Sequence, residues 1–150
     1  MSYTYEYPRP CVTVDVALFR KHREEEEILL IQRKNPPFEG SWALPGGFIN
    51  MDENLSDAAY RELKEETGLA PHELFQFRTY GDVHRDPRHR TISIVYYGFM
   101  EFERSQPTSG DDASRADWFP IQKLPPLAFD HTQIINDLIE YLTLNNLIVS

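Results

Sequence analysis

Three glutamates, Glu62, Glu65 and Glu66, stand in the run "RELKEETG" (61–68) of a 150-residue chain, spaced i, i+3 and i+4. At about 100° per residue with Leu55 as zero, Ala58, Ala59 and Leu63 fall at about −60°, +40° and +80° around a helix. On the same wheel Glu62, Glu65 and Glu66 fall at about −20°, −80° and +20°, while Lys64, Asp57 and Arg61 point the other way. The three carboxylates therefore share the face that has to be buried. An unpaired carboxylate there costs several kcal/mol, and converging carboxylates raise one another's pKa by repulsion. A hard divalent cation removes both penalties, because Mg²⁺ takes oxygen ligands, keeps waters and is shared with substrate phosphates. Just upstream, Gly46 and Gly47 after Pro45 let the backbone approach closely and offer carbonyl or N–H groups. The competing reading is a solvated helix whose glutamates pair with neighbouring cations. Spacing allows Arg61–Glu65 at i, i+4, but Lys64 points away.

The elements that must position these residues are those of a mixed α/β chain. "CVTVDVALF" (11–19) alternates apolar and polar residues and is rich in β-branched side chains, which predicts a strand, and "ILLIQR" (28–33) reads as its partner. Between them the charge run "RKHREEEE" reads as a solvated hairpin loop. "NPPFEGSWALPGGF" (35–48) is a Pro- and Gly-rich loop with a short extended piece, and the acidic helix after it stops at Gly68, which suits a C-cap. "ELFQFRTY" (73–80), "TISIVYYGFM" (91–100) and "RADWFPI" (115–121) read as further strands. "DHTQIINDLIEYLTL" (130–144) puts Ile134, Ile135, Leu138, Ile139 and Leu142 on one helical stripe, with Asp130 and Gln133 in capping-box positions.

Composition sets the outer limits. A chain of 150 residues with 41% hydrophobic and 13% aromatic content suits one globular domain spanning 1–150. The net charge of −9 argues against nucleic acid or anionic membrane as a partner. No apolar run reaches the length of a membrane span, and "MSYTYEYPRP" lacks the layout of a signal peptide. The single cysteine, Cys11, excludes an internal disulfide, suits a reducing compartment and reads as a packing residue at a strand start. The expectation is a cytoplasmic protein.

From Gly47 to Leu69 the chain strongly resembles the Nudix hydrolase family. Five residues separate Gly47 from Glu53, seven separate Glu53 from Arg61, and "RELKEETGL" completes the family's Arg-Glu-apolar-x-Glu-Glu-x-Gly-apolar pattern without departure. The resemblance implies the Nudix fold, an α/β/α sandwich with a central mixed β-sheet and a loop–helix–loop catalytic motif. It implies hydrolysis of a nucleoside diphosphate linked to another group. Carried over by position, Glu62, Glu65 and Glu66 would bind Mg²⁺ or Mn²⁺, helped by the Gly46 carbonyl, while Arg61 and Glu53 would orient the carboxylates. Attack by a metal-activated water on a phosphorus is the implied chemistry, with no covalent enzyme intermediate. The general base stays open between Glu62 and the acids of "SGDDASRADWF", Asp112 or its neighbour Asp111.

Substrate choice has to come from outside that signature. "GDVHRDPRHR" (81–90) carries Arg85, Arg88 and Arg90, three cations suited to a pyrophosphate or a terminal ribose, with a self-paired solvated hairpin as the bland reading. Gly47 is expected to face the same ligand. The stretch resembles the "RDPR" loop of ADP-ribose pyrophosphatases and of related domains in NAD-metabolism regulators, and "YPRP" and "LAFDH" agree. His89 departs from that pattern, where the relatives usually carry Gly. The implied reaction is ADP-ribose to AMP and ribose 5-phosphate. The alternatives are a pyrophosphohydrolase of oxidised nucleoside triphosphates or other NDP-sugars, and a non-catalytic ADP-ribose sensor. Because no basic segment follows the final helix, an enzyme is expected rather than a sensor with its DNA-binding part. The subgroup resemblance also implies a homodimer, with Tyr3, Tyr5 and Tyr7 packing across an interface or capping the sheet.

Overall fold

The computed structural model describes residues 2–108 and 115–149. Its strands are β1 (Cys11–His22), β2 (Glu25–Gln32), β3 (Trp42–Ala43), β4 (Gly46–Phe48), β5 (Phe75–Tyr80), β6 (Thr91–Phe99) and β7 (Arg115–Pro120). Its helices are α1 (Leu55–Thr67) and α2 (His131–Leu144). The sheet runs β3-β2-β1-β6-β5, with β4 also paired to β1 and β7 to β2. β1 and β6 are parallel, from Cys11↔Thr91 to Phe19↔Phe99, whereas β1–β2, β1–β4, β2–β7 and β5–β6 are antiparallel, so the sheet is mixed.

The two-residue period of β1 divides the core. Val14, Val16 and Leu18 pack with Ala58, Ala59 and Leu63 of α1, and Ala17 and Phe19 on the other face pack with Ile134, Ile135, Leu138 and Leu142 of α2. A helix therefore covers each face, as the α/β/α expectation requires. Gly68 ends α1 with a left-handed φ of 75° and returns its N–H to the Lys64 carbonyl, which explains why glycine stands there. No helix among the described residues is long and apolar enough to cross a membrane.

Two expectations change. The charge run "RKHREEEE" is not a solvated loop: β1 and β2 continue through it to the pair His22↔Glu25. Only Arg23 and Glu24 make the turn, with φ of 53° and 68°, the two-residue geometry that matches strand twist. Arg20 and Glu27 consequently face each other across the ladder, 2.7 Å apart and nearly buried. The second change concerns the capping box at the start of α2. Asp130 makes no side-chain cap bond, because its carboxylate is taken by both Nε and Nη2 of Arg85 at 2.9 and 2.7 Å.

Candidate active site

β4 pairs with β1 through Asp15↔Gly46 and Val14↔Gly47, and this edge lays the glycine pair against the carboxylate face of α1. The Gly46 N–H donates to Glu66 Oε1 at 2.7 Å. A β-carbon on Gly47 would lie 2.6 Å from the Glu62 carboxyl carbon, so any other residue there would push that carboxylate out of place. Arg61 holds the outer side of the cluster. Its Nε and Nη2 donate to Glu53 at 2.6 and 2.9 Å, and its Nη1 donates to Glu62 at 2.9 Å and Glu65 at 3.2 Å. Arg61 thus bridges Glu53 to Glu62 and Glu65.

The helical wheel overstated the inner face by one residue. The side chain of Glu62 is 14% exposed but that of Glu65 is 59% exposed. The buried stripe of Ala58, Ala59, Leu63 and Thr67 is centred on the positive side of the wheel, which leaves Glu65, at about −80°, over its rim. Glu66 lies nearest that centre. Burial, opposed by the Gly46 N–H and reinforced by Glu62, Asp15 and Glu65, pushes its carboxyl up to about 8. Glu62 is also raised by burial, against the pull of Arg61, whereas the bonds from Arg61 hold Glu53 below its ordinary value.

This donor set is all oxygen, with one desolvated carboxylate short of positive charge. It fits a hard divalent cation that uses one or two protein carboxylates and completes its shell with water and phosphate. A complete cage is a different matter: among the described residues no three His, Cys, Asp or Glu side chains are grouped as a preformed metal site. Gly46 contributes its N–H to Glu66. Asp111 and Asp112, the expected bases besides Glu62, lie outside the described residues.

The rest of the cleft comes from other segments. One cleft is lined by Gly46, Gly47 and Glu66 and also by Asp15, Arg33, Arg85, Asp86, Arg88, Phe129 and His131. Ser93 donates its hydroxyl to Asp15 Oδ2. His131 accepts the Leu44 N–H on Nδ1 at 3.0 Å, so it ties the start of α2 to the loop that leads into the glycines. Its proton therefore sits on Nε2, 3.9 Å from Asp15. Burial lowers the His131 pKa against the pull of Asp15 and Asp130, keeping the ring neutral.

Of the cations expected from 81–90, Arg85 and Arg88 line this cleft, but neither is a free charge. Arg85 grips Asp130 with its side chain only 4% exposed, and Arg88 grips Asp86 at 2.8 and 3.1 Å. Arg90 turns elsewhere and donates to the Gly81 carbonyl at 2.7 Å. Sequence reasoning passed over Asp15, Arg33, Phe129 and His131 as site residues. The signal for Asp15 was a carboxylate inside an otherwise apolar strand, and for Phe129 and His131 "LAFDH", quoted for its resemblance but given no role.

The NUDIX domain family model matches residues 9–141. The chain belongs to the NUDIX family of hydrolases. It is 42% identical over 135 residues to an ADP-ribose pyrophosphatase of Methanocaldococcus jannaschii, covering 90% of this chain and 76% of that protein. It is 35% identical to the ADPR responsive transcriptional repressor NtrR of Acinetobacter baylyi, covering 94% of this chain but 57% of the repressor. Among solved structures, the NUDIX domain of Shewanella oneidensis NrtR complexed with ADP ribose superposes with a TM-score of 0.85 at 35% identity, covering 91% of this chain and 90% of that one.

Proposed function

We propose that this Nudix protein is a Mg²⁺-dependent pyrophosphohydrolase, with Mn²⁺ as a substitute, that cuts ADP-ribose to AMP and ribose 5-phosphate. The observation that carries the reading is the half-buried Glu66, pushed up to about 8 and bonded by Gly46, in one cleft with Arg33, Arg85 and Arg88. A carboxylate in need of a cation in a cleft that also holds arginines suits a bridging dianionic pyrophosphate. The 42% identity to an ADP-ribose pyrophosphatase supports the choice of substrate, as does the ADP ribose held by the similar NrtR domain.

Glu62 and Glu66 would hold the metal and Glu65 would complete the set from the rim, with Glu62 and Glu65 oriented by Arg61 and Glu66 by the Gly46 N–H. When bound, the cation would supply a water of lowered pKa and offset charge on the phosphates. Arg61 keeps the carboxylates from swinging apart through its bonds to Glu53, Glu62 and Glu65. Proton removal falls to Glu62, Asp111 or Asp112. No covalent enzyme intermediate is needed, and Cys11 takes no part.

A second reading, an ADP-ribose sensor, is favoured by the two regulator relatives. Incubation of the purified protein with ADP-ribose and Mg²⁺, followed by separation of the nucleotide products, decides between them. Formation of AMP and ribose 5-phosphate supports the hydrolase, and tight binding without turnover supports the sensor. A clear preference for 8-oxo-dGTP in a parallel assay would move the enzyme to the nucleotide-cleansing branch.

A further inference from the structure

Leu44, Pro45 and Gly46 form the approach to the carboxylate cluster, and each is tied to a different element. The Gly46 N–H donates to Glu66 of α1 at 2.7 Å. The Pro45 carbonyl accepts the Val16 N–H of β1 at 2.8 Å. Pro45 has no N–H of its own, so the Leu44 N–H is the last donor ahead of Gly46 that can fix the loop. Leu44 is only 2% exposed, and a buried N–H needs an acceptor.

The fold supplies that acceptor from a side chain. β3 runs beside the segment that precedes α2: the Trp42 N–H donates to the Pro126 carbonyl at 3.0 Å, and the Ala128 N–H donates to the Trp42 carbonyl at 2.8 Å. At Phe129, with a φ of 52°, the segment turns away into α2, and the Ala128 carbonyl receives the His131 N–H at 3.1 Å. The Leu44 N–H is met by Nδ1 of the His131 ring at 3.0 Å. The ring therefore continues the ladder past the point where the backbone leaves it. His131 is buried, and its Nε2 faces Asp15 Oδ1 at 3.9 Å, while Ser93 donates to the other oxygen of Asp15. Asp15 in turn pairs with Gly46 across β1 and β4, and a β-carbon on Gly46 would sit 2.5 Å from Asp15 Oδ1. The Gly46 peptide is thus seated against a fixed carboxylate on β1 while its N–H reaches Glu66 on α1.

We propose that His131 is a positioning residue for hydrolysis: by holding the Leu44 N–H it sets the Gly46 peptide, and through the Gly46 N–H the Glu66 carboxylate, where a divalent cation needs them. Asp15, pinned by Ser93, is its partner and keeps the ring turned with Nδ1 toward Leu44. The assignment rests on the pyrophosphohydrolase reading and adds to it a residue that acts through the backbone rather than by touching the metal. Histidine suits the role because a neutral imidazole offers one nitrogen as acceptor and the other as donor. One ring can then serve Leu44 and face a carboxylate at the same time.

Two variants separate positioning from packing. Asparagine places an oxygen as far along the side chain as Nδ1 and can keep the Leu44 bond, whereas leucine fills space but accepts nothing. In the metal-free protein, amide hydrogen exchange followed by NMR should show the Leu44 and Gly46 N–H groups exchanging at least about tenfold faster in His131→Leu, with the β1–β6 ladder unchanged. The same variant should bind Mn²⁺, measured by electron paramagnetic resonance, about tenfold more weakly. Its kcat on ADP-ribose should fall about thirtyfold with KM within about threefold. His131→Asn should regain Leu44 protection and most of both losses. If His131 only packed, leucine would rank above asparagine in every measurement, and that order would overturn the proposal. Normal Gly46 exchange and Mn²⁺ affinity in His131→Leu would overturn it as well. Should His131→Leu not fold, His131→Gln, whose amide lies one bond further out than Nδ1, takes its place with the same expectations. If wild type does not cleave ADP-ribose, the substrate reading fails, and the exchange and Mn²⁺ measurements still decide the His131 assignment.

Discussion

Replacing Glu66 by glutamine keeps an acceptor for the Gly46 N–H, bonded at 2.7 Å, while removing the charge that burial opposes. In the folded protein that carboxyl is pushed from its ordinary 4.5 up to about 8. A group whose folded pKa is raised above its unfolded value costs nothing below the unfolded pKa and carries its full penalty above the folded one. Stability of the metal-free protein should therefore fall as pH rises from 4.5 to about 8. At about 1.36 kcal/mol per unit the full penalty is on the order of 4–5 kcal/mol. Because Glu66 is half-buried and can relax toward water, about 2 kcal/mol should register. For a domain of this size that raises Tm by about 4–8 °C in Glu66→Gln relative to wild type. The measurement is thermal unfolding in EDTA across that pH range, with Mg²⁺ then added back. The Tm gap should close toward pH 4.5, and Mg²⁺ should stabilise wild type far more than the variant. Turnover of ADP-ribose should drop by about two orders of magnitude or more if Glu66 holds the metal as proposed. A Glu66→Gln protein no more stable than wild type near pH 8, or a gap that does not depend on pH, would refute the buried-charge reasoning.

Other outcomes follow from the same geometry. Arg85→Ala strands Asp130 beside a guanidinium site only 4% exposed and should cost roughly 3 kcal/mol of stability. The double variant Arg85→Ala/Asp130→Ala should recover part of it by chemical denaturation, and a double-variant loss equal to the sum of the two single losses would show no coupling. Gly47→Ala forces a methyl within 2.6 Å of the Glu62 carboxyl, so activity should fall about a hundredfold with folding retained by circular dichroism; near-normal activity would place Glu62 away from the chemistry. Asp112→Asn should lower kcat more than it raises KM, because a base acts mainly in the transition state. Asp111→Asn made in parallel fixes the register, and mild, equal effects from both would leave Glu62 or direct metal-hydroxide attack.

Local pattern determined a great deal of this protein. The strands, the acidic helix, its glycine stop and the glycine pair before it all express periods of two and 3.6 residues or backbone demands readable within a short window. The spacing from Gly47 to Leu69 was enough to identify the family resemblance. Chain folding decided the rest, because charges cancel in space rather than along the sequence. Arg85 looked like a free cation in a basic loop until the fold brought Asp130, 45 positions away, onto its fork. Glu65 shares the helical repeat of Glu62 and Glu66, but where the sheet edge falls against α1 sets which of the three is desolvated. Asp15 and His131 come from opposite ends of the chain, and β1 and α2 must pack before they stand 3.9 Å apart.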